Sequence, residues 1–488
     1  MRDPIAQYVS DHQLDRMRLA GVARDESGGD RPRIEVTNPY TGATIGSVPR
    51  ASIEDVAQTL EAAHRFQPEL TRHERATILN RAAAIVQERA QELAALITAE
   101  SGLCMKDSLG EIDRVRDVLL FGAIETLKDD GEIFSCDLTA VGRQRRVYTQ
   151  RTPLLGVIAA ITPFNHPMNQ VAHKVVPSIA TNNRMVLKPS EKVPFSALLF
   201  ADILYEAGLP GPMLSVVTGD GREIVDALLA SPLVDLVTFT GGAAVGKSIA
   251  ARAGYRRVVL ELGGNDPLIV MEDADLDEAS TLAVQGSYRN SGQRCTAVKR
   301  MLVHESVADR FTEELVEKTR AWNYGDPADA AMEMGTVIDE AAARLFEQRV
   351  NEAVEQGARV LAGHRRRGAL YAPTVLAGVA PQMAVAREET FGPVSPVIRF
   401  RDVDEAIRLA NGTAYGLSSS LCTNRSDYIA RFVRGLHVGT VNVREVPGYR
   451  LEITPFGGIK DSGLGHKEGL IEAMKGYTNV KTYSLPWF

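Results

Sequence analysis

Between positions 53 and 100 the chain sets Ala, Leu and Ile at helical spacing between charged side chains, which predicts amphipathic helices. Ser52 or Asp55 can cap the first, because a short polar side chain accepts from the orphan N–H groups of an opening turn. A further helix is expected from about Gly110 to Leu127, and 145–150 alternates as an exposed strand does. The texture then changes. Residues 154–161 form a continuous apolar run, as suits a parallel strand buried on both faces. Shorter runs at 184–187, 214–217 and 233–239 follow, separated by helical patterns, so a doubly wound parallel sheet is predicted. A second series at 267–270, 301–303, 394–398 and 439–443 predicts a second α/β unit. Residues 1–33 are polar and are expected to lie loosely on the surface, and Arg365-Arg366-Arg367 reads as a solvated loop.

Composition bounds this picture. A chain of 488 residues is too long for one ordinary core, so two or three domains are expected. Hydrophobic residues at 44% and charged residues at 24% describe a folded chain, not a disordered one. The net charge of −7, with Lys and Arg scattered, argues against a nucleic-acid partner. The four cysteines, Cys104, Cys136, Cys295 and Cys422, form no close pair and no metal-ligand spacing. They imply a reducing compartment without a disulfide framework or structural zinc. No apolar leader segment and no membrane-length apolar run is seen, so a soluble cytoplasmic protein without a membrane partner is expected.

The chemistry concentrates in two blocks, Leu260-Glu261-Leu262-Gly263-Gly264-Asn265 and Asn290-Ser291-Gly292-Gln293-Arg294-Cys295-Thr296-Ala297. A thiol is a weak nucleophile and its thiolate a strong one, so Cys295 needs a lowered pKa or a base, and Glu261 can serve, directly or through water. Singly, each has a blander reading: a buried small hydrophobe for Cys295, a solvated carboxylate for Glu261. A glycine-rich turn, Phe239-Thr240-Gly241-Gly242-Ala243-Ala244-Val245-Gly246, joins a strand to a helix where backbone can approach a phosphate. The common Gly-x-Gly-x-x-Gly fingerprint is absent after the first buried strand. Lys188-Pro189-Ser190-Glu191, at another strand end, offers a cation and a carboxylate suited to ribose hydroxyls.

With Thr162-Pro163-Phe164-Asn165, Glu389-Thr390-Phe391-Gly392-Pro393 and Pro455-Phe456-Gly457-Gly458, these blocks resemble the aldehyde dehydrogenase superfamily over nearly the whole chain, from about Ile34 to Lys481. The 34-residue interval from Glu261 to Cys295 also matches. The resemblance implies an α/β fold with a Rossmann-type NAD-binding domain (1–131 and 153–263) and a catalytic domain (264–465). It also implies a β-arm (132–152 and 466–488) that joins subunits into a homodimer or homotetramer. It implies Cys295 as nucleophile, Glu261 as the base that hydrolyses the thioester, and Asn165 in the oxyanion site. Glu261 also argues against the branch that passes its acyl group to coenzyme A. The cofactor would be NAD, held by Thr162, Phe164, Lys188, Ser190, Glu191, Phe239, Thr240, Gly241, Gly242, Val245, Leu262, Gly263, Glu389 and Phe391. Glu191 favours NAD by accepting from free ribose hydroxyls and repelling a 2′-phosphate. Two positions depart from the common pattern: Gly242 replaces a serine and Phe164 a tryptophan.

Arg114, His166, Arg294 and Arg450 fall where the superfamily's substrate tunnel runs, with Thr296 beside the thiol. Converging guanidinium groups suit a dianionic head group, although a single arginine is more often a surface ion-pair partner. The pattern is similar to non-phosphorylating glyceraldehyde-3-phosphate dehydrogenases and, more closely, to phosphonoacetaldehyde dehydrogenases. The latter share Asn165-His166-Pro167, Asn169-Gln170-Val171-Ala172-His173-Lys174 and the stretch 292–300. The expected reaction is NAD-linked oxidation of phosphonoacetaldehyde to its acid. Glyceraldehyde 3-phosphate, phosphonoformaldehyde, sulfoacetaldehyde, lactaldehyde and succinate semialdehyde remain open as substrates. A thioesterase or acyl-transfer activity, or a non-catalytic binding role on the same scaffold, also remains open. A basic tunnel is further expected to lower the Cys295 pKa.

Overall fold

The computed structural model describes residues 4–24, 32–128, 131–465 and 468–487. Its helical layer begins at Ile53–Arg65, where Ser52 accepts from the Asp55 N–H at 3.1 Å and Asp55 accepts from the Ser52 N–H at 2.7 Å. Thr71 and Glu74 close the same reciprocal box on Arg72–Glu88. Each cap of this kind is worth about 1 kcal/mol. Ala90–Ser101 ends at Gly102 in the left-handed region, and the next helix, Met105–Leu127, starts five residues before its expected position. The earlier start brings Asp107 into the helix, on the same buried face as Glu111, and both meet residues of the site described below.

A seven-stranded sheet runs in the order Arg257–Glu261, Val234–Thr240, Val157–Ile161, Met185–Lys188, Leu214–Val216, Met17–Leu19, Val22–Arg24. The first five strands are parallel, and all five residues of Val157–Ile161 are buried, as their unbroken apolar run requires. The last two strands run antiparallel and correct the expectation of a loose N-terminal surface segment: Leu14 and Met17 are buried, and Arg18 is held by Asp202 at 2.5 Å. Residues 1–3 and 25–31 of that segment lie outside the described residues.

The second sheet, also seven-stranded, follows the order Arg359–Ala362, Thr374–Ala377, Val394–Phe400, Val298–His304, Asp266–Val270, Ser418–Cys422, Thr440–Val443. A separate antiparallel sheet pairs Arg145–Pro153 with Thr478–Pro486 on one side and Ile133–Ser135 on the other. The arginine run is not simply solvated. Arg366–Arg367 pairs with Leu370–Tyr371, and Arg366 bridges Glu340 and Glu347, each at 2.8 Å. Among the described residues, no helix is long and apolar enough to cross a membrane.

Candidate active site

Three neighbouring strands of the first sheet, Val157–Ile161, Val234–Thr240 and Arg257–Glu261, deliver their carboxyl ends to one cavity of about 480 Å³. Asn165, Gly241 and Glu261 line it from that side; Gln293, Cys295, Glu389 and Phe391 line it from the other. Cys295 follows a turn in which Asn290, Ser291 and Gly292 all have positive φ (55°, 54° and 70°). A Cβ on Gly292 would overlap the Gly392 backbone, so that position tolerates only glycine. The strained turn is pinned from several segments. Asp107 accepts from the Asn290 N–H at 2.7 Å, Asn290 donates to the Asn165 carbonyl at 3.1 Å, and Gln293 accepts from the Ile338 N–H at 2.9 Å.

Asn165 donates one amide N–H to the Gln293 carbonyl at 2.8 Å and, like Cys295, lines the cavity. Glu261 is buried at the end of its strand, in the wall of the same cavity. The expected lowering of the Cys295 pKa is overturned. Burial pushes the thiol up to about 11; Lys299 and Arg450 oppose this, while Asp266 and Glu261 reinforce it. The basic tunnel expected around the thiol does not lower its pKa, because the sequence conceals both the desolvation and the acids that act on the thiol.

Most of the expected cofactor residues converge. Phe164, Thr240, Gly241, Gly242, Leu262, Gly263, Glu389 and Phe391 line the cavity, and the Phe164 and Phe391 rings meet edge to face at 6.0 Å. Thr162 and Phe239 are buried behind it, Phe239 beneath Gly241, and Val245 is half exposed on the helix Ala243–Arg252. Lys188 and Glu191 pair at 2.7 Å at the next strand end, with Ser190 beside them, outside the cavity lining. Burial disfavours the Glu191 carboxylate, but Lys188 holds its pKa below the ordinary value. Gln170 and the Lys192–Asp339 ion pair, which no cofactor motif in the sequence announces, also border the cavity.

A dinucleotide fits these surroundings. Among the described residues, the Thr162 and Thr240 hydroxyls are buried without a protein partner, and a Cβ on Gly242 would meet nothing within 4 Å. Gly242 also leaves the N-terminus of Ala243–Arg252 without a side-chain cap, so its N–H groups are open to an anion.

A second cavity, of about 350 Å³, adjoins the first through consecutive residues of two segments. Asn165 and Cys295 line one; their chain neighbours His166 and Arg294 line the other, together with Arg114, Arg289 and Arg450. The four basic residues singled out in the sequence are thus brought together. Thr296 is not with them: it is buried against Gly448, in the lining of neither cavity. Acids missed in the sequence temper the charge. Glu452 accepts from Arg114 Nε at 2.5 Å, meets His173 at 2.5 Å and lies 3.7 Å from Arg450. Burial alone would raise its pKa, yet His173 and Arg114 hold the carboxyl far below the usual range. Glu111 lies 3.4 Å from His166, whose own pKa is lowered by burial. Arg294 is different: its guanidinium donates to the Gln285 and Gly286 carbonyls, and burial together with Arg289 lowers its pKa to about 10. The Arg450 guanidinium lies over the Phe456 ring at 4.0 Å.

The aldehyde dehydrogenase family model matches residues 26–483. The chain belongs to the aldehyde dehydrogenase family. Among relatives of this aldehyde dehydrogenase, 3-sulfolactaldehyde dehydrogenase of Priestia aryabhattai is 38% identical over 442 residues, covering 90% of this chain and 91% of that protein. Sulfoacetaldehyde dehydrogenase of Neptuniibacter caesariensis is 37% identical over 450 residues, covering 92% and 98%. The crystal structure of NADP-dependent glyceraldehyde-3-phosphate dehydrogenase from Bacillus halodurans C-125, complexed with NADP, superposes with a TM-score of 0.93 at 36% identity, covering 97% and 99%.

Proposed function

We propose that this aldehyde dehydrogenase oxidises a small anionic aldehyde, phosphonoacetaldehyde first among the candidates, to the carboxylic acid with NAD. The observation that carries this reading is the arginine-lined cavity set directly against the cavity that holds Cys295. An aldehyde one or two carbons from its anionic head can keep that head among Arg114, Arg294, Arg450 and His166 while its carbonyl meets the thiol. Guanidinium groups recognise phosphonate oxygens in bidentate fashion.

In this mechanism Cys295 adds as thiolate to the aldehyde carbon, and the oxygen that becomes negative accepts from the Asn165 amide and the Cys295 N–H. Bound NAD supplies the hydride acceptor. Thr240, Gly241, Gly242, Leu262 and Gly263 would hold its phosphates and adjoining ribose; Lys188, Ser190 and Glu191 would hold the adenosine ribose. Glu389 would hold the nicotinamide ribose, and Phe164 and Phe391 would flank the ring. Glu261 takes the proton of the water that releases the acid from Cys295. Thr162, Phe239 and Val245 support these groups from behind or beside, and Thr296 packs the turn. The three-stranded sheet at 133–153 and 478–486 joins subunits into a dimer or tetramer.

Glu452 favours a second reading. It offsets one of the two arginine charges beside it, and a sulfonate bears a single charge where a phosphonate can bear two. The named relatives that act on sulfonated aldehydes support the same alternative. Steady-state kcat/KM for phosphonoacetaldehyde, sulfoacetaldehyde, succinate semialdehyde and propionaldehyde separates the possibilities. Phosphonoacetaldehyde should lead, and a lead for sulfoacetaldehyde would establish the second reading. Equal values for propionaldehyde would sink the anion pocket altogether.

A further inference from the structure

Lys299 follows Cys295 by four positions on the strand Val298–His304, and its side chain reaches back under the turn before it. Its ammonium is buried, at 2% exposure, and each of its three donors faces an acceptor. These are the Arg294 carbonyl at 2.8 Å, the Cys295 carbonyl at 2.6 Å and Glu389 Oε1 at 3.4 Å. The contrast with Lys174 is instructive. That equally buried ammonium neutralises Glu468 and donates to Thr238, a pairing that serves packing between segments. Lys299 instead directs two donors at consecutive carbonyls of the thiol's own turn.

Its third partner extends the connection. Glu389 also accepts from the Gly264 N–H at 3.0 Å, three residues beyond Glu261. Gly264 packs so tightly on the turn that a Cβ there would lie 2.6 Å from the Cys295 carbonyl oxygen. One ammonium therefore ties together the turn that carries the thiol, the segment that carries the candidate base and a carboxylate in the cavity wall.

We propose that Lys299 is a positioning residue for aldehyde oxidation: its buried positive charge stabilises the Cys295 thiolate, and its donors fix the peptide that carries the thiol. The proposal rests on the reading of Cys295 as nucleophile. The charged groups that face Cys295 are Lys299, Asp266, Glu261, Arg450, Arg114 and Arg294. Asp266 and Glu261 disfavour the thiolate, although burial raises Asp266 itself to about 8 and so weakens its opposition near neutrality. Of the cations, Lys299 acts most strongly on the thiol, ahead of Arg450. Without it, the thiolate would keep the opposing influence of Asp266 and Glu261 and lose the strongest cation acting on it.

The test is the pH dependence of Cys295 alkylation by iodoacetamide, followed by peptide mass spectrometry, in the parent enzyme and in Lys299→Gln and Lys299→Arg. Glutamine retains an amide that donates to both carbonyls but removes the charge. Alkylation of Lys299→Gln should be about tenfold slower at mildly alkaline pH, the equivalent of one unit in thiol pKa. Lys299→Arg, which keeps the charge but moves it, should retain the parent pH profile with a lower kcat. A Gln profile superimposed on the parent's overturns the charge role. If Gln fails to fold by circular dichroism, a shifted profile in Lys299→Arg overturns it instead. Aldehyde oxidation surviving in Cys295→Ala would refute the nucleophile assignment itself, whatever the alkylation data show.

Discussion

At the scale of single residues, the geometry around Asn165 separates orientation from chemistry. The amide has two N–H donors, and the Gln293 carbonyl takes one of them at 2.8 Å. The hydrogen bond holds the side chain in place, and under the proposed mechanism the second N–H would serve an oxygen that becomes negative only during reaction. Removing one such donor costs roughly 2.7–4 kcal/mol of barrier. Asn165→Ala should accordingly lower kcat by about two to three orders of magnitude, with NAD affinity by fluorescence titration little changed. A kcat near the parent's would take Asn165 out of the oxyanion site. Glu191 supports an equally local prediction. Lys188 at 2.7 Å keeps its carboxylate ionised at neutral pH, so it should accept from ribose hydroxyls and repel a phosphate ester. Glu191→Thr should narrow the NAD-over-NADP ratio in kcat/KM by at least about tenfold, or about 1.4 kcal/mol. A parent enzyme already faster with NADP would refute the NAD assignment.

At the scale of elements, the segment from Arg450 to Phe456 brings a cation to the lining of the arginine cavity and an acid that contacts two of its arginines. Glu452 is almost fully buried and joins Arg114 on Met105–Leu127 to His173 on Asn169–Ala180. Breaking a buried ion pair by removing one partner costs about 3–5 kcal/mol. Arg114 is a third exposed, so the lower end of that range applies to Glu452→Gln, measured as chemical denaturation at neutral pH. The sign with pH follows from the depressed carboxyl. Its contribution is complete above the unfolded value of about 4.3 and fades only as acid takes the pH below that. Arg450→Ala should act differently, mainly raising KM for the anionic aldehyde, as loss of uniform binding does. An unchanged KM would exclude it from head-group recognition. The same cluster shows what was legible in the sequence. Strand Val157–Ile161 announced itself by an unbroken apolar run, and Cys295 by its motif. Arg257–Glu261 did not, because it is an edge strand whose first three residues are not buried, so its periodicity is weak. Glu452, His173 and Lys299 were invisible for another reason: a buried charge and a solvated one are spelled alike, and only the fold supplies the partners that make burial tolerable.

At the scale of the whole molecule, the antiparallel sheet of Ile133–Ser135, Arg145–Pro153 and Thr478–Pro486 differs from the two buried sheets in what it leaves uncovered. Leu138 and Val141, in the loop between its first two strands, are 81% and 87% exposed, and Ile133, Val480 and Leu485 are at least half so or close to it. A three-stranded ribbon needs a packed apolar face to be stable, and contiguous exposed apolar side chains are a feature of interaction surfaces. The described residues of this chain do not cover those side chains, and under the proposed subunit joining a second copy would cover them, with symmetry placing the same patch on both partners. The enzyme should therefore run in size-exclusion chromatography with light scattering as a dimer or tetramer of the 53.0 kDa chain. Paired charges at Leu138→Asp and Val141→Asp should shift it toward the single-chain mass without touching either active-site cavity, neither of which these positions line. Because the arm strands are continuous with Val157–Ile161 on one side and the helix Leu470–Gly476 on the other, dissociation should also lower Tm. A parent enzyme of single-chain mass at micromolar concentration would remove subunit joining as the role of this sheet.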